Sequence, residues 1–286
     1  MSKRKIHAVV VAYDAAEQLD GCLAALEQTV EVSVVDNSSS PLVAAVTAAR
    51  RARYVDPKEN LGFASGVNIA VRELLAGQPQ DILLLNPDAA LRPPELDLLA
   101  AELHRSGNER VAAVAPRLVG ADGNDQRVNW PFPTPARAWL QALGLGWLPA
   151  RATFAIGAVL LLRWEAIREV GLFDQRFFLY AEEADWQRRA STLGWSSSVC
   201  ESAVARHVGA GTSTDPQRRE MLFHAAQETF IRKWYGPVGW LSYRTAMCVG
   251  AAIRAIVLRG PRRAEALRRG RLYLRGPRSL AFKGHG

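Results

Sequence analysis

The first 120 residues alternate short apolar runs with longer stretches of helical periodicity, and few folds accept that pattern. Residues 6–12 (Ile-His-Ala-Val-Val-Val-Ala) are a nearly continuous apolar run, as expected of a strand buried on both faces in a parallel sheet. Residues 15–26 carry apolar side chains at helical spacing, with Asp14 placed to cap them. Further strands are predicted over 30–35, 53–55, 82–85 and 111–115, with helices over 42–50 and 64–75. Pro93 and Pro94 open another helix, where proline is tolerated in the first turn. This rhythm implies an α/β fold, a Rossmann-like and mostly parallel sheet with helices on both faces. Beyond residue 120 the pattern is looser. Asp122-Gly123 reads as a turn, 129–135 as a proline-aromatic loop, 155–162 as strand-like, 178–193 as helical and 204–207 as a short last strand. From 216 the chain reads as helical, interrupted at Gly236-Pro237 and Gly260-Pro261.

Ligands of such a sheet sit beyond the carboxyl ends of its strands. Three polar clusters fall there: Ala12-Tyr13-Asp14, Asp36-Asn37-Ser38-Ser39 and Asn86-Pro87-Asp88. Each alone is ordinary turn chemistry; three on one edge point to a site. Neither GxGxxG nor GxxxxGK[ST] occurs, which argues against ordinary dinucleotide and P-loop sites. A nucleotide here would rely on Asp36 to accept a hydrogen bond from a base, and on a cation for the diphosphate. Asp88, on a backbone set by Pro87, is the first candidate ligand, a hard oxygen suited to Mg2+ or Mn2+. His207, ahead of the glycine-rich residues 209–213, is the second; a lone histidine is more often structural. The run at 177–189 leads from aromatics into Glu182, Glu183 and Asp185, then Arg188 and Arg189. Acids in a first helical turn suit the dipole, and Asp185 can pair with Arg189. The functional alternative is a carboxylate general base whose pKa is raised by its apolar surroundings.

The net charge of +8 is not spread evenly. From Arg259 onward there are nine basic residues and one acid, Glu265, which accounts for all of it. The body is therefore neutral, and no nucleic-acid recognition motif accompanies the basic tail. Residues 238–258 are apolar but contain Arg244 and Arg254, which argue against a membrane span. Trp234, Tyr235, Trp240 and Tyr243 stand where interfacial aromatics are expected. The expectation is amphipathic helices lying on an anionic membrane surface; the alternative is a helix packed on the domain with a solvated basic face. Three scattered cysteines, Cys22, Cys200 and Cys248, suggest a reducing compartment and no structural zinc. The first apolar run is too short for a signal peptide.

The segments VVVAYD (9–14), VVDNSS (34–39), ENLGFASGVN (59–68), LLLNPDA (83–89), AIGAVLLLR (155–163), FFLYAEEADWQRR (177–189) and HVGAGTS (207–213), in that order, resemble glycosyltransferase family 2 with the GT-A fold. Within it, the chain is most similar to rhamnosyltransferases of bacterial cell-envelope assembly. The resemblance implies an inverting, metal-dependent transfer of a sugar from a nucleotide diphosphate, dTDP-rhamnose being favoured, to a polyprenyl-diphosphate-linked or other glycan acceptor. It implies a catalytic region over 1–215 and a basic, membrane-associating region over 216–286, peripheral to the cytoplasmic face of the plasma membrane; an oligomer stays open. It places Ala12, Tyr13, Asp36, Asn60, Gly62, Asn68 and Asn86 at the nucleotide and Asp88 and His207 at the metal. Glu183 falls at the catalytic base, often Asp in the family, with Glu182 and Asp185 in support. Two other readings compete. A nucleotidyltransferase would carry a glycine-rich basic loop after the first strand, where this chain has AYDAAEQ. A non-catalytic scaffold would have lost Asp88 or the acid cluster, and both are present.

Overall fold

The computed structural model describes residues 4–150, 152–209 and 215–281. Residues 210–213 of the glycine-rich motif and Lys283 of the basic tail lie outside the described residues. The elements run Ile6–Ala12 (β1), Ala16–Ala25 (α1), Glu31–Asp36 (β2), Pro41–Ala49 (α2), Arg53–Val55 (β3), Gly62–Leu75 (α3), Asp81–Leu85 (β4), Ala89–Ala90 (β5), Pro93–Leu103 (α4), Val111–Val119 (β6), Asp125–Gln126 (β7), Asn129–Pro131 (β8), Pro135–Ala142 (α5), Thr153–Ala155 (β9), Val159–Leu162 (β10), Trp164–Val170 (α6), Glu182–Thr192 (α7), Ser196–His207 (β11), Pro216–Val257 (α8), Gly260–Arg275 (α9) and Pro277–Ala281 (α10). They divide into two compact units. One comprises Met1–Trp130, Thr153–Phe178 and Glu182–Thr214; the other comprises Pro131–Ala152, Leu179–Ala181 and Asp215–Gly286.

The first unit is built on a sheet of order β3-β2-β1-β4-β10-β6-β11-β5, with β7 added to β6. The first four strands of that order, and the β6–β11 pair, are parallel within each group, while β10 runs antiparallel to both β4 and β6. This is the mostly parallel α/β sheet expected, with three antiparallel strands, β10, β5 and β7, that the alternation did not reveal. β4 is the central strand: Ile82, Leu83, Leu84 and Leu85 are all fully buried, each contributing about 1.5–3 kcal/mol of apolar burial. The last strand is longer than the predicted 204–207, because Ser196–Cys200 also pairs with β6 before a register shift ahead of Val204. Its serines and Glu201 hid it from a hydrophobicity pattern.

The second unit packs α5, α8, α9 and α10 around an aromatic core. Tyr273 is fully buried, Trp240 and Tyr243 nearly so. Those two rings stack with centroids 6.1 Å apart, so they do not form the interfacial aromatic group expected from their sequence position; burying their large faces in this core wins. The two arginines within the apolar stretch are spent on carbonyls: Arg244 donates to Tyr273 O at 2.7 Å and Leu274 O at 2.6 Å, and Arg254 to Gln141 O at 3.0 Å. The predicted break at Gly236-Pro237 is a kink in α8, with Gly236 at φ 65°. Among the described residues no helix is long and apolar enough to cross a membrane.

Candidate active site

Topology gathers the polar strand ends on one rim. β1, β2 and β4 run parallel, so Tyr13, Asp36 and the Asn86-Pro87-Asp88 turn leave the same edge. β6 ends there too, because β10 runs down from Val159, opposite Leu85, and pairs antiparallel with it, and β11 runs parallel to β6.

Asp36 is fully buried. Its carboxylate accepts from Ser38 N (2.9 Å), Ser38 Oγ (2.5 Å), Ser40 N (2.7 Å) and the Tyr54 hydroxyl (2.9 Å). That uses about the four lone-pair sites a carboxylate has and folds 36–40 into a rigid turn. Burial, then the bond to Asp36, pushes the Tyr54 hydroxyl up to about 12. Asp14 N donates to Ser38 Oγ at 3.1 Å and Asn37 N to Ala12 O at 2.9 Å, joining the first two clusters. Tyr13 is 45% exposed beside them.

The loop 59–62 closes the next side. Asn60 Oδ1 accepts from Gly62 N at 3.0 Å, and Asn37 Nδ2 donates to Gly62 O at 3.0 Å. Gly62 has φ +78°, and a Cβ there would overlap the Phe178 carbonyl and stand 2.8 Å from its ring. Only glycine allows this approach. Asn68 is 1% exposed; its amide donates to Phe173 O (2.8 Å) and accepts from Phe173 N (2.9 Å). It braces the 173–178 segment rather than facing solvent.

α7 is bolted down along its length. Gln187 brackets Ala155, donating to its carbonyl at 2.7 Å and accepting from its N–H at 2.9 Å. Trp186 is fully buried and donates to Gly171 O at 2.9 Å. Asp185, also fully buried, pairs with Arg189 at 3.1 Å, and that guanidinium continues to Val170 O and Leu172 O, both at 2.7 Å. Asp185 thus closes an internal ion pair and fixes the helix. Glu182 and Glu183 head the same helix with different surroundings. Burial, then the charge of Glu183, pushes the Glu182 carboxyl well above its ordinary value. Burial also raises Glu183, but backbone N–H groups of Glu183, Gly157 and Ala184 oppose it by stabilising the ionised form. Each glutamate keeps a buried Oε2 without a hydrogen-bond partner.

Asp88 and His207 meet because β5 pairs antiparallel with β11, His207 opposite Ala89, and Val208 N donates to Asp88 O at 3.1 Å. His207 Nε2 lies 3.5 Å from Asp88 Oδ1. The neighbouring Cys22 donates to Asn86 O at 3.5 Å, and burial, then the charge of Asp88, raises its pKa, so it is no thiolate. Among the described residues no three His, Cys, Asp or Glu side chains converge as ligands. The chain would therefore supply two donors, an oxygen and an imidazole, leaving other positions to phosphate oxygens and water. That fits Mg2+ or Mn2+ bound largely through a substrate diphosphate. The glutamates reach the same rim: Asn86 N donates to Ala158 O at 2.9 Å, and Gly157 lies against Glu183, a Cβ there falling 3.5 Å from the Glu183 Cβ.

Sequence reasoning missed Tyr54, Gly157 and Gln126. Tyr54 sits in a three-residue strand, Gly157 in an apolar segment and Gln126 behind a surface turn. Gly157 falls within the 155–163 motif without being singled out, and Tyr54 and Gln126 carry no local signal, because each acts through neighbours remote in sequence.

The glycosyl transferase family 2 model matches residues 8–171. The chain is 28% identical to N-acetylglucosaminyl-diphospho-decaprenol L-rhamnosyltransferase of Mycobacterium tuberculosis, covering 86% of this chain and 93% of that protein. It is 26% identical to a galactofuranosyltransferase of Mycolicibacterium smegmatis over 67% of this chain and 66% of the relative. Glucosyl-3-phosphoglycerate synthase from Mycobacterium tuberculosis, solved in complex with Mn2+, UDP and phosphoglyceric acid, shares the fold at TM-score 0.57 and 17% identity, over 82% of this chain and 80% of that one. The match spans more than half of the chain, from the first strand through the rim that holds Asp36 and Asp88, and the chain belongs to glycosyl transferase family 2.

Proposed function

We propose that this glycosyltransferase is an inverting, divalent-metal-dependent enzyme that moves L-rhamnose from dTDP-rhamnose to a hydroxyl of a lipid-linked or envelope-glycan acceptor. The observation that carries it is one rim holding the Asp88–His207 pair and, joined through Asn86–Ala158 and Gly157, the buried Glu183. The mycobacterial rhamnosyltransferase, similar over most of both chains, supports rhamnose and a diphospholipid acceptor. The galactofuranosyltransferase likeness favours a second reading in which the donor is another nucleotide sugar.

In the proposed reaction Ala12, Tyr13, the Asp36 turn, Asn60, Gly62 and Asn86 frame the nucleotide, and Asn68 holds the wall behind it. Asp88 and His207 bind the cation, whose chemistry when bound is to offset charge developing on the leaving diphosphate. Glu183 takes the proton of the acceptor hydroxyl, whose oxygen attacks the anomeric carbon opposite the leaving group and inverts it. Glu182 and Asp185 support Glu183, one by holding a proton beside it and the other by fixing its helix.

We assign catalysis to 1–215 and membrane association, at the cytoplasmic face of the plasma membrane, to 216–286. Two features of the second unit support this. α8 exposes Val238 (80%), Leu241 (63%), Ile256 (83%) and Val257 (72%) ahead of the arginine-rich α9. A groove of about 350 Å³ has Met221, Leu272 and Leu280 among its walls with Arg271, Arg275 and an Arg268 paired to Glu220 at 2.7 Å, an apolar wall with net positive charge as an anionic lipid requires. The test is transfer from dTDP-rhamnose, UDP-galactofuranose and UDP-glucose to membrane-extracted acceptors, with and without a chelator. Rhamnose transfer that the chelator and Asp88→Ala both abolish is expected. Transfer surviving both would refute the metal assignment, and preference for another donor would replace rhamnose.

A further inference from the structure

Gln126 leaves the Asp88–His207 pair with an electrostatic conflict that a cation would relieve. Gln126, on β7 opposite Leu118 of β6, makes two bonds to one residue. Its Nε2 donates to the His207 carbonyl at 2.8 Å, and its Oε1 lies 2.8 Å from His207 Nδ1. A backbone carbonyl can only accept, so the amide nitrogen must face it. The amide oxygen then faces Nδ1, and since that oxygen can only accept, Nδ1 must carry the proton. In a neutral ring, Nε2 is left as a lone pair aimed at the Asp88 carboxylate 3.5 Å away. Two acceptors at that distance repel unless a proton or a metal ion lies between them, and a bound metal would take the place of the proton. Space for the amide is built in: a Cβ on Gly120 would come within 3.2 Å of Gln126 Nε2 and 2.7 Å of Asp122 Oδ1. β7 is tied back by Arg117, whose Nη2 reaches both Asp125 oxygens at 2.7 and 2.9 Å.

We infer that Gln126 is a positioning residue for the cation: it locks His207 in the Nδ1–H tautomer and presents Nε2 with Asp88 as a preformed two-donor cradle. The inference rests on the proposed metal-dependent reading of this rim and adds a residue that acts before substrate arrives. Partners that orient a ligating imidazole in this way commonly control metal affinity, their loss costing roughly 10–100-fold.

Gln126→Leu removes both bonds at similar size, and Gln126→Glu keeps an acceptor for Nδ1–H while losing donation to the carbonyl. Two readouts are needed. In metal-free protein, ¹⁵N chemical shifts of the His207 ring report the tautomer; the unaltered protein is expected to show protonated Nδ1, as is Gln126→Glu, and Gln126→Leu a mixture. Titration of Mn2+ with a nucleoside diphosphate present, followed by electron paramagnetic resonance, is expected to show affinity roughly 10–100-fold weaker in Gln126→Leu and nearer to the unaltered value in Gln126→Glu. Melting temperature, measured alongside, identifies a variant that merely fails to fold, in which case the tautomer of His207 in the unaltered protein decides. A protonated Nε2 in the unaltered protein, or unchanged Mn2+ affinity in folded Gln126→Leu, would overturn the role of Gln126. Failure of the metal reading looks different: no Mn2+ binds the unaltered protein although Nδ1–H is the tautomer found, and both assignments then fall.

Discussion

Glu182 and Glu183 are adjacent, buried and unequal, and that inequality predicts which one accepts the proton. Three backbone N–H groups meet the Glu183 charge, and hydrogen bonds to charged groups contribute about 1.5–3 kcal/mol each. Glu182 is 5% exposed, and its own burial and the Glu183 charge both favour its neutral form. Burial and the Glu183 charge therefore favour the neutral form of Glu182 more strongly than burial favours that of Glu183, and in the proposed reaction Glu182 holds the proton. Glu183→Gln keeps the shape and removes the proposed base, so kcat should fall roughly 10²–10⁴-fold, about 2.7–5.4 kcal/mol at 1.36 kcal/mol per decade. Glu182→Gln replaces one neutral group by another, and its loss in kcat should be at least roughly tenfold smaller. Stability offers an independent check. With its folded pKa raised, Glu182 contributes stability that is complete below the unfolded carboxyl pKa of about 4.3 and is lost as pH rises through the folded value. Glu182→Gln does not titrate, so its melting temperature relative to the parent should climb between pH 4 and pH 8. Sugar transfer under saturating donor and scanning calorimetry at the two pH values make the measurements. The reasoning fails if Glu182→Gln silences transfer as deeply as Glu183→Gln, or if the difference in melting temperature is flat with pH.

Three further outcomes follow from geometry already described. Gly62→Ala forces a side chain into a left-handed backbone, about 1–3 kcal/mol, and into the Phe178 carbonyl, about 1–3 kcal/mol more; at roughly 2–4 °C per kcal/mol the melting temperature should drop by roughly 4–24 °C. Asn68→Ala leaves the Phe173 N–H and carbonyl buried and unpaired at about 1–3 kcal/mol each, and a shift in denaturant midpoint without change in slope should report it. Leu241→Glu with Ile256→Glu should weaken sedimentation with phosphatidylglycerol vesicles by at least roughly tenfold, since full burial of each apolar side chain is worth about 1.5–3 kcal/mol; sedimentation equal to that of the parent would remove α8 as the membrane face.

Much of this enzyme was legible along the chain, because a buried parallel strand and the turn that ends it are both local. Apolar runs such as 6–12 and 82–85 could only be strands inside a sheet, and the polar residues behind them had to meet at its carboxyl edge. That puts Tyr13, Asp36 and Asp88 on one edge from the order of strands and turns alone, and the ordered motifs carry the family. The aromatic-rich middle of α8 misled, since nothing local distinguishes a ring that faces lipid from one that faces Tyr273. What pairing and packing alone decided lies between segments far apart in sequence. The antiparallel return of β10 brings Gly157 to Glu183, β5 against β11 sets His207 beside Asp88, and Asn68 reaches across 105 residues to Phe173. The protonation of two adjacent glutamates and the tautomer of one histidine depend on which N–H or amide oxygen lies within 3 Å. Distances of that kind are fixed only once the whole sheet has closed around them.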